Sequence, residues 1–146
     1  MSHNPLRPVE IAQAVQKRNS SHPFATSSVQ AGFPSPADDH IERQLDLNEL
    51  LIQHPAATFY VRVEGDSMLN ASINSGDILI VDRALTPIPG KIIIAILNGE
   101  FTVKRFTKKN TKIVLVAENP AYPDIQIQEG SDFQIWGVVT YVIHKT

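Results

Sequence analysis

The stretch KIIIAILNGEFTVKRF, residues 91–106, reads as two strands joined by a very tight turn. Asn98-Gly99 tolerates the positive φ angles that a type I′ turn demands at both central positions, and that turn matches the twist of its flanking strands. The spacing predicts strands over residues 91–97 and 100–106. In the second strand a period of two sets Thr102, Lys104 and Phe106 on one face. One hairpin is not stable alone, so the fold depends on further strands to cover it.

The flanking sequence supplies them. Upstream, Phe59, Val61 and Val63 alternate with Thr58, Tyr60 and Arg62, the pattern of a half-buried strand. Asn74-Ser75-Gly76-Asp77 is a turn by composition, Ile78 to Val81 is a short apolar strand ending at Asp82, and Pro87, Pro89 and Gly90 mark the next loop. Downstream, strands are predicted over residues 112–117, 125–127 and 133–143, separated by Asn119-Pro120 and Glu129-Gly130. The body, residues 38–146, is therefore mainly β, built of many short strands that close on themselves.

Before residue 38 the pattern is different. Residues 8–18 fit a short helix, with Pro8 in its first turn and Ile11 and Val15 four apart. From Ser20 to Pro36 there are five serines, three prolines and no Asp, Glu, Lys or Arg, which describes a flexible arm. Phe24, Val29 and Phe33 give that arm apolar handles able to dock in a groove. Asp38 is expected to cap a helical turn carrying Ile41 and Leu45. Asp46 followed by Glu49 reads as the cap of a helical patch over 47–52, which His54-Pro55 stops.

Composition narrows the function. At 146 residues and 42% apolar content the chain builds one core, with no room for a three-helix DNA-reading domain before residue 31. A net charge of −2 with mixed signs lacks the basic footprint of a phosphate-gripping protein, so no direct sequence-specific DNA binding is expected. With no cysteine, disulfides, thiolate metal sites and cysteine nucleophiles are all excluded, and no metal or cofactor is expected. The longest apolar run, Ile92 to Leu97, is far short of a membrane span, and Pro5, Arg7 and Glu10 interrupt any signal-peptide core. The expectation is a cytoplasmic protein without a membrane partner.

The chemistry centres on Gly65-Asp66-Ser67-Met68, where a strand gives way to a short helical turn. A serine there can cap the turn, and on local sequence alone that reading leads. It can also be a nucleophile if a base lies within hydrogen-bond reach. Of the five histidines, His3, His22 and His40 precede the body, His54 precedes the strand and His144 is next to the C-terminus, so none is well placed for a Ser-His-Asp arrangement. Lys104 is the better base: apolar neighbours on its strand can desolvate the amine and lower its pKa. The alternative is an ordinary outward-pointing strand lysine. Backbone N–H groups of Asp66 and Ser67 are candidate oxyanion donors. The arm offers Ala31-Gly32 as a bond with minimal side chains on both sides.

Taken together, Ala31-Gly32, Gly65-Asp66-Ser67-Met68, Gly76-Asp77 and Phe101-Thr102-Val103-Lys104 resemble the LexA-like self-cleaving serine proteases, in particular their UmuD and MucA branch. The resemblance runs from about Gln30 to Ile143 and includes Gly32-Phe33-Pro34-Ser35-Pro36 and Leu50-Leu51-Ile52-Gln53-His54-Pro55. It implies a LexA/signal-peptidase-like protease domain after a flexible N-terminal arm, residues 1–37. It implies Ser67 as nucleophile, Lys104 as general base and the Ala31-Gly32 bond as the one cut. It further implies a homodimer, cleavage stimulated by the RecA filament on single-stranded DNA, and a processed form that works with a UmuC-like Y-family DNA polymerase in SOS mutagenesis. The departure is at the cut, where UmuD has Cys-Gly and this chain has the Ala-Gly of LexA-like repressors.

Three other readings compete. A GDS-type esterase needs an Asp-x-x-His pair, which the chain lacks. A signal-peptidase relative would need a membrane anchor. A polymerase-binding module with a vestigial protease site remains the alternative in which no cleavage occurs.

Overall fold

The computed structural model describes residues 4–15, 21–25 and 41–146. Strands dominate: β1 (Arg7–Gln13), β2 (Ser21–Ala25), β3 (Ile41–Asp46), β4 (Thr58–Glu64), β5 (Ile78–Asp82), β6 (Ile92–Leu97), β7 (Glu100–Lys109), β8 (Lys112–Val116), β9 (Ile125–Gln126) and β10 (Phe133–Ile143). Eight of them form one antiparallel sheet in the order β1-β4-β5-β10-β6-β7-β8-β9, and β2 pairs with β3 separately. The mainly β architecture expected from the sequence is the one observed.

The hairpin over residues 91–106 is β6-β7. Leu97 pairs with Glu100, and Asn98 (φ 51°) and Gly99 (φ 82°) adopt the positive φ values of the tight turn. The apolar run of β6 is explained by burial on both faces. Ile94 packs with Val61, Val63, Leu79, Val81 and Val103, while Ile93 and Ala95 pack with Phe106, Leu115 and Val138 on the other side. A strand covered on both sides loses the alternation of a one-sided sheet and reads as continuous hydrophobicity.

The eleven-residue β10 holds the sheet together, pairing with β5 on one side and β6 on the other. Its register slips between Val139 and Tyr141 against β5, and between Ile135 and Gly137 against β6. Such bulges bend a strand and increase its twist, and the sheet curls accordingly. The β7-β8 ladder begins only at Arg105, opposite Val116, so the first half of β7 has a free edge. Curling brings the start of the chain to that edge: Val103 N–H donates to the Leu6 carbonyl at 3.1 Å. Leu6 is fully buried in the core cluster of Val63, Met68 and Val103.

Three local expectations are corrected. Residues 7–13 form a strand, not a helix, pairing antiparallel with β4 from Arg7 opposite Glu64 to Gln13 opposite Phe59. The same residues carry a period-two pattern in Val9, Ile11 and Gln13, and the open edge of β4 selects it over the weak helical one. Ile41–Asp46 is likewise a strand where a helical turn was expected, pairing Leu45 with His22 and Ile41 with Ala25. Ser21–Ala25, placed within the flexible arm, is its partner strand. Asp38 and the Ala31-Gly32 bond lie outside the described residues. The Asp46 cap is present: Asn48 N–H donates to Asp46 Oδ1 at 2.9 Å and opens helix α1, Leu47–Leu51.

Leu115 is fully buried in the cluster on the far side of β6 from Met68 and Leu6. Leu115→Ala is expected to lower stability by about 2–5 kcal/mol, the range for emptying a close-packed leucine site. Urea unfolding followed by Trp136 fluorescence measures it.

Candidate active site

β4 ends at Glu64, and the chain turns through Gly65, whose φ of +121° favours glycine. Asp66 and Ser67 follow, and a 3₁₀ turn over Leu69–Ala71 comes next. Met68 is the residue that opens this turn, and no side-chain hydrogen bond caps it. Ser67 is therefore not a helix cap. It is fully buried, and its Oγ lies 3.3 Å from Lys104 Nζ. The two residues singled out as a nucleophile and its base are brought together across 37 positions of sequence.

Lys104 is 3% exposed, which excludes the outward-pointing alternative. Its cross-strand neighbour on β6 is Ile93. On the open side it lines a mostly apolar cavity of about 360 Å³ with Leu97, Phe101, Pro123 and Ile125. Removing an ammonium from water penalises its charged form, and burial holds the Lys104 pKa below the ordinary lysine value. A larger share of neutral amine at a given pH is what a general base needs.

The loop carrying Ser67 is fastened by residues that follow β8. Asn119 Nδ2 donates to the Asp66 carbonyl at 2.7 Å, and the Tyr122 hydroxyl hydrogen-bonds Asp66 Oδ1. Asn70 N–H donates to the Glu118 carbonyl at 2.8 Å, and Glu118 itself takes an ion pair from Arg105 Nε at 2.5 Å. Partial desolvation, then the bond to Asp66 and its charge, push the Tyr122 phenol up to about 12. Its ring also approaches Lys104 Nζ to 5.9 Å, so one side chain both holds the serine loop and walls the amine. Asn119-Pro120 is the only sequence signal for this clamp, and it shows a turn without its target.

Of the candidate oxyanion donors, Asp66 N–H is engaged by the Asn4 carbonyl at 3.0 Å. Ser67 Oγ also accepts a hydrogen bond from Leu6 N–H at 2.7 Å. Two histidines sit on carboxylates at the two ends of β5: His54 Nδ1 lies 2.6 Å from Asp82 Oδ2 and His144 Nδ1 lies 2.7 Å from Asp77 Oδ1. Among the described residues no cluster of three or more His, Asp or Glu side chains is arranged to hold a metal ion. No helix among them is long and apolar enough to cross a membrane.

The chain is similar to known proteins along most of its length. The chain is 48% identical to Protein SamA of Salmonella typhimurium, over 93% of its own length and 94% of that protein. It is 41% identical to Protein MucA of Escherichia coli, over 83% of each. The LexA repressor of Paracidovorax citrulli is 37% identical over 81% of this chain, a match that takes in 52% of the repressor. The model of the family described as Peptidase S24-like matches residues 23–140. With relatives this similar along most of its length, the chain belongs to the Peptidase S24-like family.

Proposed function

We propose that the protein is a serine endopeptidase that cuts its own Ala31-Gly32 bond, with Ser67 as nucleophile and Lys104 as general base. The observation that carries this reading is the 3.3 Å approach of a buried lysine amine, its pKa lowered by burial, to a buried serine hydroxyl. Neutral Lys104 takes the proton from Ser67 Oγ as Oγ bonds to the Ala31 carbonyl carbon. The resulting oxyanion is held by backbone N–H groups of Asp66 and Ser67. The Lys104 ammonium then returns a proton to the Gly32 nitrogen, the C–N bond breaks, and Ala31 is left esterified to Ser67. Water, deprotonated by the same amine, releases the fragment ending at Ala31.

The similarity to MucA supports the wider setting. On this reading the chain is a cytoplasmic homodimer, the RecA filament on single-stranded DNA stimulates the cut, and the processed form serves a UmuC-like Y-family polymerase in SOS mutagenesis. No cofactor takes part. Purified protein at alkaline pH is expected to split after Ala31 without any other protease. A chain that stays intact there, and also with RecA, single-stranded DNA and nucleotide, would reduce the site to a vestige in a polymerase-binding module.

Ser67→Ala and Lys104→Ala are expected to remain folded and to lose cleavage at neutral pH, read on a gel with circular dichroism as the folding control. The wild-type rate should rise with pH as Lys104 loses its proton and level off below the ordinary lysine pKa of about 10.4. A flat profile from about pH 6 to 10 would exclude an amine base.

The same burial acts on stability, with a fixed sign. The folded state holds Lys104 below its unfolded pKa, so between the two values the unfolded chain binds more protons and stability increases with pH. Lys104→Met is therefore expected to be more stable than wild type at neutral pH, with the gap closing toward the unfolded lysine pKa. Thermal melts across that range measure it.

Asn119→Ala removes the bond to the Asp66 carbonyl without touching the dyad. Cleavage is expected to slow by about tenfold or more through displacement of the serine loop, with the pH midpoint unchanged because Lys104 keeps its burial. A shifted midpoint would place Asn119 in the proton chemistry instead.

A further inference from the structure

The groove in front of Ser67 holds an extended peptide segment, and that segment is the beginning of the same chain. Asn4 O accepts from Asp66 N–H at 3.0 Å, Leu6 N–H donates to Ser67 Oγ at 2.7 Å, and Leu6 O accepts from Val103 N–H at 3.1 Å. Main-chain bonds of this kind, with side chains dropping into pockets, are how a sheet edge captures a strand. The Leu6 side chain is fully buried against the core, and Pro5 and Arg7 help to wall the cavity that Lys104 lines. Gly65 is what permits the approach: a Cβ there would lie 2.4 Å from the Pro5 oxygen and 2.6 Å from its carbonyl carbon.

The segment is bound out of register for cleavage. A peptide poised for attack places one carbonyl both on the oxyanion donors and in front of the hydroxyl. Here the carbonyl on Asp66 N–H is that of Asn4, while the hydroxyl faces the Pro5-Leu6 amide from its nitrogen side. The Leu6 N–H draws on the Oγ lone pair that attack requires, and Ser67 is left without access for another bond. Strand β1 secures this arrangement through its ladder with β4.

We propose that Asn4–Leu6 is a built-in blocker, an extended Asn-Pro-Leu segment that occupies the peptide groove of Ser67 in an uncuttable register and must leave before any other segment can enter. This rests on the reading of Ser67 as the nucleophile. Because residues 4–13 precede position 31, a cut there detaches the blocker together with the arm. Its dissociation would open both the edge of β4 and the Leu6 socket to another extended strand.

The test compares the full chain with one lacking residues 2–6, both in self-cleavage and in labelling of Ser67 by a fluorophosphonate reagent. The shortened chain is expected to be labelled and cut at least about fivefold faster, since reactivity scales with the fraction of open groove. Equal or slower reaction of a folded shortened chain overturns the blocker while leaving the nucleophile in place. If neither chain reacts up to alkaline pH, both the blocker and the protease reading fall.

Leu6 is a core residue, so a second measurement covers the case in which the shortened chain does not fold. In the otherwise unaltered protein, Ser67→Ala removes the acceptor of the Leu6 amide. Hydrogen exchange at Leu6 is then expected to speed by about tenfold while the β1 amides paired with β4 stay protected. An unchanged Leu6 amide would show that it does not rest on Ser67.

Discussion

Everything around the site is arranged to keep one lysine amine out of water beside one serine. A charged amine resists burial strongly, so a lysine that is 3% exposed requires a scaffold stiff enough to hold it there. The curled sheet is that scaffold. β7 carries Lys104 beside its strand neighbour β6, which has core on both of its faces. The burial that penalises the charged amine also raises its neutral share at a given pH. With Lys104 as the proposed base, stability and chemistry are opposed at this residue.

Position is the second requirement, and it comes from long-range contacts. Ser67 lies on a loop rather than a strand, and a loop alone does not hold a hydroxyl within hydrogen-bond reach of a partner. Here Asn119 and Tyr122 grip Asp66 from beyond β8, Asn70 is tied to Glu118, and Arg105 on the lysine strand pairs with Glu118. The last link joins the two halves of the site, since Arg105 is the immediate neighbour of Lys104.

What could be read in advance divides along the same line. The β6-β7 hairpin was legible because Asn98-Gly99 is a local code for its turn, and β4 because one of its faces is open and alternation survives. Ser67 and Lys104 were legible by residue type and by family resemblance. The segment 7–13 was not, because Ile11 and Val15 satisfy a helical spacing while Val9 and Ile11 satisfy an extended one. A short segment with two acceptable periods takes the one its neighbour completes, and the neighbour is the edge of β4. The contacts of Asn119, Tyr122 and Leu6 were not legible because their partners lie more than fifty residues away, and no periodicity encodes such a contact.

The blocker and the proposed scissile bond share one chain, and this changes how control can operate. Where the arm is cut by its own domain, the competition for the groove is intramolecular and diluting the protein alters neither side of it. Only something that distinguishes the blocked state from the open one can shift the balance, and then only by its difference in affinity for the two. A trigger such as a nucleoprotein filament thus need not supply any catalytic group. On the proposed blocker and dyad, preferential binding to the state with Asn4–Leu6 displaced would be sufficient, because Ser67 Oγ and Lys104 Nζ already lie 3.3 Å apart beneath it.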